Sequence, residues 1–281
     1  MYNYLQKIGF HFSLRSFLIF VGLCIIAWLI NVFGAITFLG QKLIPHLVRS
    51  GLGAVAVLIL ITRSTRLLKK DGIPSAALGL KLSLKALSNF LLGVFIAALA
   101  ISLIALILYF FLPFHFEKGS LKGAEIIKEA HSYFWGNFLE ELIFRGYPLL
   151  VFSRLLGWRK AVWIMALPFG LFHLPGPGFT MQGLKMITTT ATYSFVFSYA
   201  FILTGSLWTS IGLHVTSNVL LHAVLGLDGV EAAIYRPVFN AKWPLSYDPG
   251  FTSFLLGSII ILILLFLLIK KRKSIASPQP A

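Results

Sequence analysis

The chain has 281 residues, of which 58% are hydrophobic and 12% charged. A soluble globular domain averages about 45–50% apolar and about 25% charged. No water-soluble fold of this length hides that much apolar surface, so a soluble enzyme, a disordered chain and a secreted disulfide scaffold are excluded. The net charge is +15; in a membrane chain this excess belongs to cytoplasmic loops. No basic patch with interleaved aromatics accompanies it, so no nucleic-acid partner is expected. The one cysteine, Cys24, lies in an apolar run. It cannot form an intrachain disulfide, and it reads as lipid-facing or as core packing.

The expected fold class is all-α, a polytopic membrane protein of about eight transmembrane helices, each needing about 20 mostly apolar residues. In chain order the candidate spans are 16–40, 46–62, 86–113, 134–151, 161–174, 187–205, 208–225 and 251–269. The first is too long for a signal-peptide core and no small-residue cleavage pattern follows it, so it reads as a retained span. The stretch 63–85 reads as an amphipathic cytoplasmic connector and 114–133 as a weakly amphipathic segment at the outer interface. The short span 161–174 runs into Pro175-Gly176-Pro177-Gly178 and is expected to be broken or tilted. The basic tail ends in Ser277, Pro278 and Pro280.

Lys and Arg test this arrangement. With the N-terminus inside, the inner segments carry Lys7, Arg15, the six basic residues of 63–85, Arg154, Arg159, Lys160 and the run 270–273. The outer segments carry fewer, among them Lys42, Lys118, Lys122, Lys128, Arg236 and Lys242, with acids such as Asp228 and Glu231. The bias satisfies the positive-inside rule with both termini cytoplasmic, in the cell membrane.

Ionisable residues at membrane depth are costly and mark candidate sites. The fourth span holds Glu140-Glu141-Leu142-Ile143-Phe144-Arg145. Glu141 and Arg145 stand four apart in the favourable order for a helical pair. That leaves Glu140 about 100° round the helix without a local partner, the situation that suits a general base or acid. The bland alternative is one interhelical salt network of all three. Phe169-Gly170-Leu171-Phe172-His173 ends the fifth span, and His214-Val215-Thr216-Ser217-Asn218 lies in the seventh. A histidine can shuttle a proton or bind metal, and an asparagine can donate to an oxyanion. Each can equally serve as interhelical hydrogen bonding. His222 ranks low, and Asn137, one turn before Glu141, is expected to support it. Taken together, burying these groups separately is far costlier than converging them on one polar cavity. Such a cavity can activate water for peptide-bond hydrolysis.

These pieces, EELIFR, FGLFH and HVTSN, resemble the patterns EExxxR, FxxxH and HxxxN of the type II CAAX prenyl endopeptidases, within the CPBP (Abi) family of intramembrane metalloproteases. The resemblance covers about residues 130–225 and implies an eight-helix membrane endopeptidase. By that resemblance Glu140, His173, His214 and Asn218 are catalytic. Glu140 activates water, His173 holds or polarises it, and His214 and Asn218 bind metal or stabilise the oxyanion. Glu141 and Arg145 support them. The implied partners are a prenylated or hydrophobic peptide substrate and membrane lipid. Glu140, His173 and His214 are the types of ligand a divalent metal such as zinc takes. The same groups suit a metal-free, glutamate-dependent hydrolysis, and no HExxH is present.

The expected organisation is 1–125, N-terminal transmembrane helices with the basic connector; 126–226, a CAAX-protease-like catalytic core; and 227–281, an outer loop, the last transmembrane helix and a basic tail. Charge topology alone places His173 near the outer face, Glu140 in the outer half of its span and His214 nearer the inner side. The competing readings are a non-catalytic immunity or scaffold protein that binds a hydrophobic peptide, and a proton-coupled transporter. The transporter reading lacks repeat symmetry and paired broken helices.

Overall fold

Long apolar runs with no water to bond their peptide groups must satisfy them internally, and the helix is the local way to do so. In the computed structural model, residues 13–37, 43–174, 178–227, 233–240 and 248–276 are described. Helix makes up 81% of the described residues, as an all-α membrane chain requires. The helices in chain order are α1 (Leu14–Thr37), α2 (Leu43–Lys70), α3 (Leu84–Phe111), α4 (Gly123–Glu141), α5 (Tyr147–Leu156), α6 (Trp158–Phe172), α7 (Met181–Thr204), α8 (Leu207–Asn218) and α9 (Pro249–Ala276). Lys7, Lys42, Pro175, Gly176, Pro177, Asp228, Glu231, Lys242 and the tail from Ser277 lie outside the described residues.

About eight spans are expected, and the structure supports part of that set. Among the described residues, four helical segments are long and apolar enough to cross a membrane: Gly51–Lys70, Leu84–Phe111, Met181–Thr204 and Gly250–Lys270. The others differ for physical reasons. The fourth span carries Glu140, Glu141 and Arg145, which lower its hydropathy. Helix α6 has only 15 residues, about 22 Å of rise against a hydrocarbon core of about 30 Å. Helix α8 has 12 residues before it loosens into a π-turn, Val219–Val224.

Local chemistry sets the helix boundaries. Ser83 accepts from the Ala86 N–H and starts α3; Thr180 accepts from Gly183 and starts α7; Asp248 accepts from Phe251 and starts α9. Gly205, in the left-handed region, ends α7. Helix α4 does not begin at 134 but at Gly123, and it continues through the π-turn Leu142–Gly146 into α5. The segment 114–133 is therefore part strand and part the first turns of α4. Its start is a strand, β1 (Phe114–Lys118), paired antiparallel with β2 (Tyr235–Phe239) in the register Phe114↔Phe239 to Lys118↔Tyr235. The connector 63–85 also differs. Residues up to Lys70 extend α2, and Asp71 is buried, accepting from the Tyr147 hydroxyl. Cys24 is buried in the core.

Helix α3 leaves Phe95, Leu99 and Phe110 exposed on the surface and buries Gly93, Ile96, Ala97, Ala100, Ile101 and Ile104, packing against α8 and α9. Two glycines let α3 and α8 touch backbone to backbone. A Cβ on Gly93 would stand 2.1 Å from the Thr209 carbonyl oxygen, and one on Gly212 2.3 Å from that of Phe90. Gly170 does the same for α6 and α7, where a Cβ would lie 2.7 Å from the Ile187 carbonyl oxygen. Small residues permit this close approach in membranes. It seats α8, with His214, and the end of α6, with His173, against their neighbours.

Candidate active site

Glu141 and Arg145 are both fully buried on the α4 side of the bundle, so neither charge is tolerable alone. Arg145 Nη1 donates to Glu141 Oε1 at 3.3 Å, and its Nη2 donates to the Ser194 carbonyl at 3.1 Å and to Ser194 Oγ at 2.7 Å. Its guanidinium lies 4.2 Å from the Phe169 ring centre and 5.1 Å from that of Phe197, within cation–π range. The other oxygen of Glu141 accepts from the Ser210 hydroxyl. Arg145 falls within the π-turn Leu142–Gly146, a local widening common at functional sites.

Every contact on the Glu141 carboxylate is a donor. His214 Nδ1 stands 2.8 Å from Glu141 Oε1, so Nδ1 carries a proton and donates; in the neutral ring Nε2 is then the atom with the lone pair. His173 Nδ1 stands 2.8 Å from the Phe169 carbonyl, which can only accept, so the same tautomer follows. The FxxxH spacing thus uses one helical turn to orient the ring. The two lone pairs converge on Glu140. Its Oε2 is 3.8 Å from His173 Nε2 and 3.8 Å from His214 Nε2 and has no hydrogen-bond partner among the described residues. Phe197 stacks on the His214 ring at 4.2 Å between centres.

Helices α4 and α8 run antiparallel with polar residues every fourth position, and these meet rung by rung. Glu141 bonds His214, Asn218 Nδ2 donates to Asn137 Oδ1 at 3.1 Å, and Tyr133 stacks on His222 with ring centres 6.0 Å apart. Glu140, His173 and His214 are therefore brought together, and Asn218 sits one turn along on the next rung. Asn137, expected to support Glu141, bonds Asn218 instead. Helix α6 is short and ends next to His173, whose Nε2 reaches to 3.8 Å from Glu140 Oε2.

Glu140, His173 and His214 have the chemistry of zinc ligands, but two ligands on one tetrahedral zinc lie about 3.4 Å apart. At 3.8 Å the glutamate–histidine edges are longer. Among the described residues no three His, Cys, Asp or Glu side chains are arranged to hold a metal ion. The same 3.8 Å is too long for a direct hydrogen bond and short enough for one bridging water.

Sequence reasoning did not single out Ser194, Phe197 or Ser210. Ser210 was within reach of it, since Ser210, His214, Asn218 and His222 form one stripe of period four. Ser194 and Phe197 carry no such signal in α7.

No curated protein matches the chain. Residues 130–220 match a family model, and this stretch holds Glu140, Glu141, Arg145, His173, His214 and Asn218. Over that stretch the chain is similar to the Rce1-like family, described as type II CAAX prenyl endopeptidase Rce1-like.

Proposed function

We propose that the chain is an intramembrane endopeptidase. It hydrolyses a peptide bond near the C-terminus of a prenylated, CAAX-type or other hydrophobic peptide, using water activated by Glu140. The observation that carries this reading is the convergence of Glu140 Oε2 with the Nε2 atoms of His173 and His214, each 3.8 Å away. The similarity of residues 130–220 to the Rce1-like family supports the substrate class.

In this mechanism one water donates to Glu140 Oε2 and to a histidine Nε2, which leaves a lone pair aimed at the substrate carbonyl. Glu140 takes the proton as the water oxygen bonds to the carbonyl carbon. The carbonyl π electrons move to its oxygen, and the Asn218 amide donates to that oxyanion. The C–N bond then breaks, and Glu140 passes its proton to the departing nitrogen. Glu141 stays ionised between Arg145, Ser210 and His214, so it holds the His214 tautomer without itself transferring a proton. The peptide reaches the site from lipid in the cell membrane, with both chain termini cytoplasmic.

The test is cleavage of a prenylated CAAX peptide by the purified chain, followed by mass spectrometry, with and without a strong chelator. The proposal expects a C-terminal fragment released at an unchanged rate with chelator present. No fragment removes the endopeptidase reading, and loss of activity restored by added zinc replaces the water-only mechanism with a metal-assisted one.

A further inference from the structure

The middle rung between α4 and α8 is made by two amides, and it is incomplete. Asn218 Nδ2 donates to Asn137 Oδ1 at 3.1 Å. Asn137 is only 4% exposed, yet its own Nδ2 has no hydrogen-bond partner among the described residues. Two facing amides can exchange two hydrogen bonds; here one is made and a buried donor is left bare. Reversing the oxygen and nitrogen of both amides swaps donor and acceptor, but still leaves three N–H groups unspent.

We infer that Asn137 is a positioning residue: by accepting one N–H of Asn218 it holds that amide with its second N–H free for the carbonyl oxygen at the scissile bond. The inference rests on the endopeptidase reading above. The placement supports it. Asn137 precedes Glu140 by three residues and Glu141 by four, so it stands on the face that carries the reacting carboxylate. Asn218 follows His214 by four, so the donor sits one turn from the histidine that faces Glu140. An asparagine amide turns easily about its last torsion. Tethered at one N–H, it presents the other in a single direction, and a small misplacement of such a donor carries a large rate penalty.

The experiment measures kcat and KM on a prenylated CAAX peptide with the full purified chain. The proteins are wild type, Glu140→Ala, Asn218→Ala, Asn137→Ala, Asn137→Leu and the Asn137→Ala/Asn218→Ala double variant. Asn137→Leu removes the partnerless Nδ2 together with the acceptor of the Asn218 N–H and keeps a side chain of similar size; Asn218 is half-buried, so water can take the freed N–H. This variant is expected to melt no lower than wild type while losing kcat about 10- to 100-fold with KM little changed. Asn218→Ala is expected to lose about 100- to 1,000-fold, and the double variant to be no slower than Asn218→Ala alone. If wild type cleaves, Glu140→Ala does not, and Asn137→Leu keeps the wild-type kcat, the inference fails while the endopeptidase reading stands. Additive losses in the double variant also overturn it, since Asn137 then acts independently of Asn218. A wild-type protein that does not cleave overturns both.

Discussion

Replacing Arg145 with alanine should be the most damaging single change to the fold of the site. Arg145 and Glu141 are both fully buried, and removing one partner of such a pair costs about 3–5 kcal/mol because the other charge is stranded. The structure adds reasons to expect the upper half of that range. Three side-chain hydrogen bonds vanish, two of them to Ser194, and the ring of Phe169 loses a cation 4.2 Å away. For a chain of this size about 2–4 °C of melting temperature follows each kcal/mol, so a fall of about 8–20 °C is expected. Cys24 is buried, so a thiol-reactive dye added to detergent-solubilised protein reads the transition directly. Arg145→Lys should recover little, since one ammonium cannot reproduce the planar fork that spans Glu141 and Ser194. The double variant Glu141→Gln/Arg145→Met, which strands no charge, should recover at least half of the loss. An Arg145→Ala protein melting within about 2 °C of wild type would refute the reasoning.

Three further outcomes follow from single contacts. Ser210→Ala removes a donor from Glu141 and should lower kcat with little change in KM, measured on the purified protein; an unchanged kcat would mean that Arg145 and His214 suffice to hold the carboxylate. Gly93→Ala places a Cβ 2.1 Å from the Thr209 carbonyl oxygen, so α8 must shift and both melting temperature and cleavage should fall; overpacking of this kind costs about 1–3 kcal/mol. Burial pushes the Asp248 carboxyl up, but the Lys185 ammonium and the first amides of α9 outweigh this and hold it below the usual carboxylate range. Its contribution to stability is therefore present above the unfolded value of about 3.9 and is lost as pH falls through the lower folded one. Asp248→Asn should flatten that acid limb in a pH series of melting curves, and an identical limb would assign it to other groups.

The parts of the fold legible in the sequence are those where hydropathy alone decides. Leu84–Phe111 and Gly250–Lys270 are the most strongly apolar of the candidate spans, and both emerge as long helices. Other expected spans are less plain in the structure, because α6 and α8 are short and α4 is interrupted by Glu140, Glu141 and Arg145. The β-ribbon was missed because its strands pair across more than a hundred residues, as Glu117 and Arg236 do, with no turn between them to read. In the site, Glu141 with Arg145 and Phe169 with His173 follow from one-turn spacing on a single helix. The Ser194 and Phe197 contacts depend on how α7 packs against α4 and α8, which no local pattern encodes. Asn137 was visible, but its partner was not: a position four before Glu141 suggested a bond along the helix, and the structure directs it across to Asn218.

The central claim is that Glu140 carries the proton in peptide-bond hydrolysis. Glu140→Gln keeps the size of the side chain and leaves the Glu141, Arg145 and Ser210 contacts intact, so it isolates that role. General-base catalysis contributes about 100- to 10,000-fold. The purified Glu140→Gln protein, with an unaltered melting curve, is therefore predicted to cleave a prenylated CAAX peptide at least about 100-fold more slowly than wild type. Cleavage at the wild-type rate would contradict the account.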